Sequence, residues 1–414
     1  MDMDLYLQNQ DYVAIYSFWE NDTYVYVVKC RTFERKPNLV KKSILRSITS
    51  HKSRKIVFDY FSPDYVEQIF NQKQDNLNFV FIEINRKCNL GCIHCYLSQN
   101  DKGAHLTYDR FDEIINIIKD KQPIDIRIIG GEPSLVEDLC GMCKRAMGIQ
   151  PKSHHTLLTN GSMSEESLRG IMETGINIQI SVYGMTYRTF ETFSHGKKKD
   201  FDRVFENLEI LSKEYLNKVK LVFINSSVTK NELDHFIKFA TEKGFSYSYG
   251  NVVSIGRAKI NQNLLGNVEE INQERMTCSV KPKYEQKLSN RICDLDRLCI
   301  CANGDITPCH YFQIHDTNYT MGNIFNSSLD DILWSKKFND FRSHTVDDVK
   351  TCNKCIFRYL CSAGCCGETY AVKGDILEKY THCCLDKCLS DVEEDTVYRI
   401  VKYCPGLFYK DKIL

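Results

Sequence analysis

FVFIEINRKCNLGCIHCY, running from Phe79 to Tyr96, joins an apolar stretch to three closely spaced cysteines. Phe79 to Ile84 is β-branched and aromatic and has the length of a strand. Cys88, Cys92 and Cys95 follow it on one tight loop with the spacing CxxxCxxC. Three thiolates so placed can each ligate a different iron of a cubane and leave the fourth iron without a protein ligand. The same residues would also suit a zinc site completed by His94 or His105.

Five further runs of this kind follow: IDIRII (124–129), HTLLT (155–159), INIQISV (176–182), VKLVFINSSV (219–228) and FSYSYGNVV (245–253). Amphipathic segments separate them. In the first, Phe111, Ile114, Ile115 and Ile118 fall on one helical face and Thr107 is placed to cap it. Six strand-and-helix units in a row predict an α/β fold with a parallel sheet and right-handed crossovers, hence a partial or complete barrel. Chemistry in such folds sits at the C-terminal ends of the strands. The cysteine loop, Gly130-Gly131-Glu132-Pro133, Thr159-Asn160-Gly161 and Ser181 all fall there.

Outside the barrel the chain changes character. Residues 1–75 read as a small α+β module, a β-hairpin turning at Asn21-Asp22 followed by a basic, helical stretch. Residues 79–260 are the barrel, 261–290 a polar linker, 291–388 a loop-rich segment, and 389–414 a helix and tail. The 291–388 segment has too little continuous apolar pattern to fold on burial alone, and metal would supply the missing stability. Of the chain's 20 cysteines, three lie within 88–95 and fourteen from Cys278 to Cys404.

Lys plus Arg equals Asp plus Glu at 54 each, so the overall charge gives no sign of nucleic acid or an acidic membrane as partner. The start MDMDLYLQNQDY lacks the basic and apolar regions of a signal peptide, and no apolar run is long enough to span a bilayer. These features predict a cytoplasmic protein. In that reducing compartment so many cysteines point to metal or redox chemistry rather than disulfides.

CxxxCxxC after the first strand of a βα barrel, followed in order by Gly130-Gly131-Glu132-Pro133, resembles the radical S-adenosylmethionine (SAM) superfamily over residues 79–260. The resemblance implies a [4Fe-4S] cluster on Cys88, Cys92 and Cys95. Its open iron would chelate SAM, whose reductive cleavage yields a 5′-deoxyadenosyl radical that takes a hydrogen from substrate. It further implies that the GGEP backbone and the Glu132 carboxylate hold the SAM amino group, glycine allowing close approach and a carboxylate matching an ammonium. Thr159, Asn160 and Ser181 would meet the SAM ribose and carboxylate. His94 occupies the place of an aromatic residue near adenine, with Tyr96 following. Arg257, in Ser254-Ile-Gly256-Arg257-Ala258, would meet the SAM carboxylate.

Downstream, Cys293-x10-Gly304-x4-Cys309, then Cys352-x2-Cys355-x5-Cys361-x3-Cys365, then Cys383 or Cys384, resembles the seven-cysteine SPASM motif. It implies one or two auxiliary [4Fe-4S] clusters. The first would take Cys293, Cys309 and Cys365 with Cys299 as a possible fourth ligand, and the second Cys352, Cys355, Cys361 and Cys383 or Cys384. Cys278, Cys301, Cys366, Cys388 and Cys404 receive no role. Read alone, Cys352-x2-Cys355 would equally suit zinc.

Proteins of this resemblance chiefly modify peptides and proteins. The expected function is a maturase that forms a thioether or carbon–carbon cross-link in a ribosomally made precursor, drawing electrons from a donor such as flavodoxin or ferredoxin. The alternatives are an anaerobic sulfatase-maturing enzyme or other SPASM oxidase and, outside enzymes, a zinc-stabilised binding protein on a degenerate barrel. Sulfatase maturases carry Asp after the cysteine of Pro-Cys. Here Pro308-Cys309 is followed by His310, a weaker candidate for the base. The strand-rich N-terminal module could dock a leader peptide by β-augmentation.

Overall fold

The structure, a computed structural model, describes residues 13–20, 23–29, 55–61, 77–97, 104–149, 154–266, 291–293, 297–312, 317–352, 362–381 and 383. They divide between two compact units. Those within 74–272 and 294–342 form one, and those within 1–73, 273–293 and 343–414 the other.

The first unit is built on six parallel strands in sequence order: β4 (Phe79–Asn85), β5 (Asp125–Gly130), β6 (Thr156–Thr159), β7 (Asn177–Val182), β8 (Val219–Asn225) and β9 (Ser246–Asn251). They follow β1 to β3 of the N-terminal region, described below. All six expected strands are present. Six consecutive residues of β4, Val80 to Asn85, are buried, as expected of a parallel strand covered on both faces. Helix α1 (Tyr108–Ile118) crosses from β4 to β5, starts where the Thr107 side chain accepts a hydrogen bond from the Arg110 N–H, and buries Phe111, Ile114, Ile115 and Ile118. Helices α2 (Leu139–Met147), α3 (Glu165–Glu173), α4 (Tyr187–Ser194), α5 (Lys198–Glu214) and α6 (Leu233–Glu242) follow between the remaining strands.

Beyond β4 the sheet continues into the cysteine-rich region. Strand β10 (Arg297–Ile300) lies parallel to β4 with Cys299 opposite Phe81, and β11 (Asp305–Thr307) and β12 (Gly322–Asn323) add antiparallel strands outside it. The order is therefore β12-β11-β10-β4-β5-β6-β7-β8-β9, with β9 at the far edge. The barrel is partial.

In the N-terminal region, β1 (Val13–Glu20) and β2 (Thr23–Lys29) form the expected hairpin across Asn21-Asp22. The basic stretch read as helical contributes a third strand, β3 (Lys55–Phe61), antiparallel to β1, so the sheet order is β2-β1-β3. At Lys55–Phe61 the helical reading is corrected, since KIVFDYF is a β-branched and aromatic run of strand length, while the rest of that stretch lies outside the described residues.

One buried histidine makes the barrel's stability depend on pH. His155 is fully buried before β6, and its Nδ1 accepts the Ile126 N–H at 2.8 Å. Burial, then the neighbouring His154, lowers its pKa from 6.5 to about 4. The unfolded chain thus binds the proton more readily than the fold between these two values. Stability is complete above about pH 6.5 and falls as the pH drops toward 4, by about 2 kcal/mol at pH 5. Denaturant titrations at pH 7 and pH 5 should show this loss in the wild type and its absence in His155→Gln, whose amide oxygen can still accept the Ile126 N–H. An equal loss in both would refute the assignment.

Candidate active site

The three cysteines lie on a loop leaving β4 that is clamped from three directions. From β5, the Gly131 N–H bonds Asn85 O at 2.9 Å, the Glu132 N–H bonds Lys87 O at 2.8 Å, and the Asn85 side-chain amide returns a bond to Glu132 O at 2.9 Å. From the end of α4, Ser194 O accepts the Gly91 N–H and Phe193 O the Ile93 N–H. From the segment after β9, the Arg257 N–H bonds Cys95 O at 2.9 Å and Asn261 Nδ2 bonds Ile93 O at 3.0 Å. Gly256 has φ +56°, and a Cβ there would lie 2.4 Å from Tyr96 O. That backbone and that approach suit only glycine.

Glu132 is fully buried and ties the strand ends together. Its carboxylate accepts the Thr159 hydroxyl at 2.5 Å, the Asn160 N–H at 2.8 Å and the Ser134 N–H at 3.1 Å. Pro133 follows it, buried, in a short turn. The Asn160 amide donates to Asn89 Oδ1 at 2.9 Å, while Asn89 Nδ2 donates to Ser162, so the end of β6 is bonded directly to the cysteine loop. The Thr159 hydroxyl also accepts the Gly161 N–H, and the Asn160 Oδ1 accepts from the Ser162 N–H and hydroxyl, so both side chains are engaged within the protein. Asn85, Asn89 and Ser162 complete the network without having stood out in the sequence, since nothing local marks an Asn whose partner is far along the chain.

Burial raises the Cys88 thiol to about 11 and Cys92 still further, while the Leu90 N–H at Cys88 and the Arg257 charge at both oppose this. A bound metal overrides such a shift, because a coordinating thiol is deprotonated outright. The donor set fits an iron–sulfur cluster carrying a zwitterionic ligand. No three His, Cys, Asp or Glu side chains among the described residues surround a single ion-sized point. A cubane asks for one thiolate per iron instead. Beside the thiols, Arg257 Nε is buried with no hydrogen-bond partner, a donor suited to a carboxylate. The three donors to Glu132 are all neutral, and a carboxylate has lone pairs left for an ammonium. Burial raises the Glu132 pKa, which an adjacent cation would counter.

The aromatic residues divide between two places. His94 stacks on Phe193 at 4.7 Å and lies 5.4 Å from Tyr183; burial, with the Arg257 charge adding, lowers its pKa to about 3, so the ring is neutral. Ser181 hydrogen-bonds the Tyr183 side chain. Tyr96 instead faces the segment after Pro308, 5.9 Å from the His310 ring and 6.3 Å from Tyr311. His310 packs against Phe81 at 4.6 Å, and burial, then Arg127 and Arg297, lowers it to about 4.

The downstream cysteines are distributed over both units. Cys299, Cys301 and Cys309 are buried at the β10–β11 edge. Gly304 turns that hairpin with φ +87°. In the other unit, Cys365 precedes helix α11 (Cys366–Lys373; α7 to α10 are the short helices Arg257–Ile260, Gln262–Leu265, Leu329–Leu333 and Lys336–Ser343), and its thiol, raised to about 11 by burial, also feels Cys293. Ser362, Ala363 and Gly364 all have positive φ, so the x3 step before Cys365 is a tight left-handed turn. Cys352 and Cys383 are half-buried in the same unit. Cys355, Cys361 and Cys384 lie outside the described residues.

The family model for the radical SAM superfamily matches residues 82–240, and that for SPASM, an iron–sulfur cluster-binding domain, matches 293–356. The antilisterial bacteriocin subtilosin biosynthesis protein AlbA of Bacillus subtilis is 23% identical over 334 residues, 72% of this chain and 68% of AlbA. Among solved structures, anSMEcpe with bound AdoMet and Kp18Cys peptide superposes with a TM-score of 0.58 at 17% identity, covering 80% of this chain and 97% of that one. Streptococcus suis SuiB bound to the precursor peptide SuiA gives 0.56 at 16% identity, covering 75% and 76%. No helix of the described residues is long and apolar enough to cross a membrane. Residues 82–240 are thus a radical SAM domain and residues 293–356 belong to a SPASM domain, and the protein is an enzyme of the radical SAM kind that uses SAM on a [4Fe-4S] cluster and carries one or two auxiliary iron–sulfur clusters.

Proposed function

We infer that this enzyme is a peptide maturase acting on a ribosomally made precursor. The similarity to AlbA carries the reading, since it runs through 72% of this chain, more than the barrel alone. When bound, the cluster and SAM supply a radical that removes a hydrogen atom from substrate. The chain's own residues hold that chemistry in place: Glu132 and Arg257 offer opposite charges for the amino and carboxylate ends of SAM, and His94 with Tyr183 and Phe193 gives an aromatic wall. Leader recognition falls to the N-terminal sheet, where β2 and β3 are the outer strands among the described residues and could be extended by an extended peptide. Reduced flavodoxin or ferredoxin supplies the electron, and the protein works in the cytoplasm.

The test is direct. Reconstituted enzyme, SAM and a reductant are incubated in parallel with a panel of short cysteine-bearing candidate precursor peptides and with a sulfatase peptide, and the products are sequenced by mass spectrometry. A thioether or carbon–carbon cross-link removes one hydrogen atom from each joined residue. Precursor peptides all of unchanged mass, with the sulfatase peptide converted instead to formylglycine, would overturn the reading.

A further inference from the structure

Cys301 has no place in the ligand set implied by the motif spacing, yet the fold puts it beside two residues that do. Cys299 is on β10 and Cys301 follows one residue past its end, where the ladder runs on, with the Cys301 N–H bonded to Asp305 O at 2.8 Å. Residues two apart on an extended chain share a face. Cys299 stands opposite Thr307, and Cys309 comes two residues later on the β11 side. All three thiols are buried, Cys299 at 0%, Cys301 at 3% and Cys309 at 6% exposure. The Cys299 and Cys301 thiols are hydrogen-bonded to each other, and Cys309 is close enough to Cys299 to act on it electrostatically. Cys299 itself packs against Phe81 and Ile129 of the barrel strands. Buried cysteines are often plain core residues. Here two soft donors in contact stand where one is needed, in a region that binds iron–sulfur clusters.

We propose that Cys301 is an auxiliary-cluster iron ligand interchangeable with Cys299. One iron position takes either thiolate, and the thiol left over donates its S–H to the bound sulfur. Loss of Cys299 alone then leaves the iron fully ligated, because Cys301 takes its place by a change of rotamer.

The experiment uses the full chain with Cys88, Cys92 and Cys95 replaced by Ala, so that only auxiliary clusters remain. Into this background go Cys299→Ala, Cys301→Ala and the two together. Iron and sulfide are counted, and 15N-imidazole is added as the probe of an open iron, read by pulsed electron paramagnetic resonance of the reduced clusters. Expected are wild-type iron and no 15N coupling in both single variants. In the double variant, either iron falls by about one cluster, about four irons per chain, or a 15N coupling appears. Circular dichroism checks that the variants are folded. A change in either single variant, or no change in the double, overturns the proposal. A background without iron would sink it together with the auxiliary clusters themselves.

Discussion

Alanine at any one of Cys88, Cys92 or Cys95 is expected to lower SAM cleavage by at least about 10³-fold, equivalent to ~4 kcal/mol of barrier. Each thiolate serves a different iron, so losing one removes a ligand that nothing nearby replaces. Among the described residues, no further cysteine belongs to this loop. The loop's backbone should survive the change, because its clamps are main-chain and asparagine bonds: Gly91 to Ser194, Ile93 to Phe193, Lys87 to Glu132 and Cys95 to Arg257. The defect is therefore chemical rather than a failure to fold. It is read as 5′-deoxyadenosine formed with dithionite, alongside an iron count lowered by about four per chain and an unchanged circular dichroism spectrum. Cys143→Ala is the control. Cys143 is fully buried on α2, burial raises its thiol far above the ordinary range, and its loss should cost about 1 kcal/mol of packing while cleavage stays at the wild-type rate. Full cleavage in a variant of the loop would refute the cluster assignment.

How much of this was legible before the structure depends on the range of the interactions. The barrel strands and the buried face of α1 follow from local period, and they appear where Phe79–Ile84 and Phe111, Ile114, Ile115 and Ile118 put them. The cysteine loop was legible because its spacing is itself the chemistry. Strands β10 to β12 were not, being four, three and two residues long, too short to show a period. The partner that makes β10 a strand is β4, far upstream in the chain. The same applies to Asn85, Asn89 and Ser162. Each is an ordinary polar residue in the sequence and acquires its role only when the ends of β4, β5 and β6 meet. The left-handed turn at Ser362 and Ala363 is carried by residues that give no turn signal, so only the neighbouring Gly364 hinted at it.

The glycines of Gly130-Gly131 show where a motif's reason and its residue types part. The sequence reading gives them to the approach of a ligand, whereas the structure shows what they meet within the protein. A Cβ on Gly131 would sit 2.4 Å from Lys87 O, 2.6 Å from Lys87 C and 2.7 Å from Arg86 O; on Gly130 it would sit 2.3 Å from Asn85 Oδ1 and 2.7 Å from Asn85 O. The Gly131 contacts are all backbone, which cannot rotate aside. Gly131→Ala must therefore push the loop off the end of β5, lengthening the bond from the Glu132 N–H to Lys87 O next to Cys88. Overpacking of this kind costs about 1–3 kcal/mol, and a displacement of about 1 Å at a reacting centre costs about 100-fold in rate. The expected variant is folded, melts lower, keeps its auxiliary iron and cleaves SAM about 100-fold more slowly. Gly250→Ala on β9 is the matched comparison, because a Cβ there meets nothing within 4 Å, and it should shift stability by less than about 0.5 kcal/mol. If Gly131→Ala cleaved SAM as fast as Gly250→Ala, the close seating of the loop on β5 would not be what sets the cluster in place.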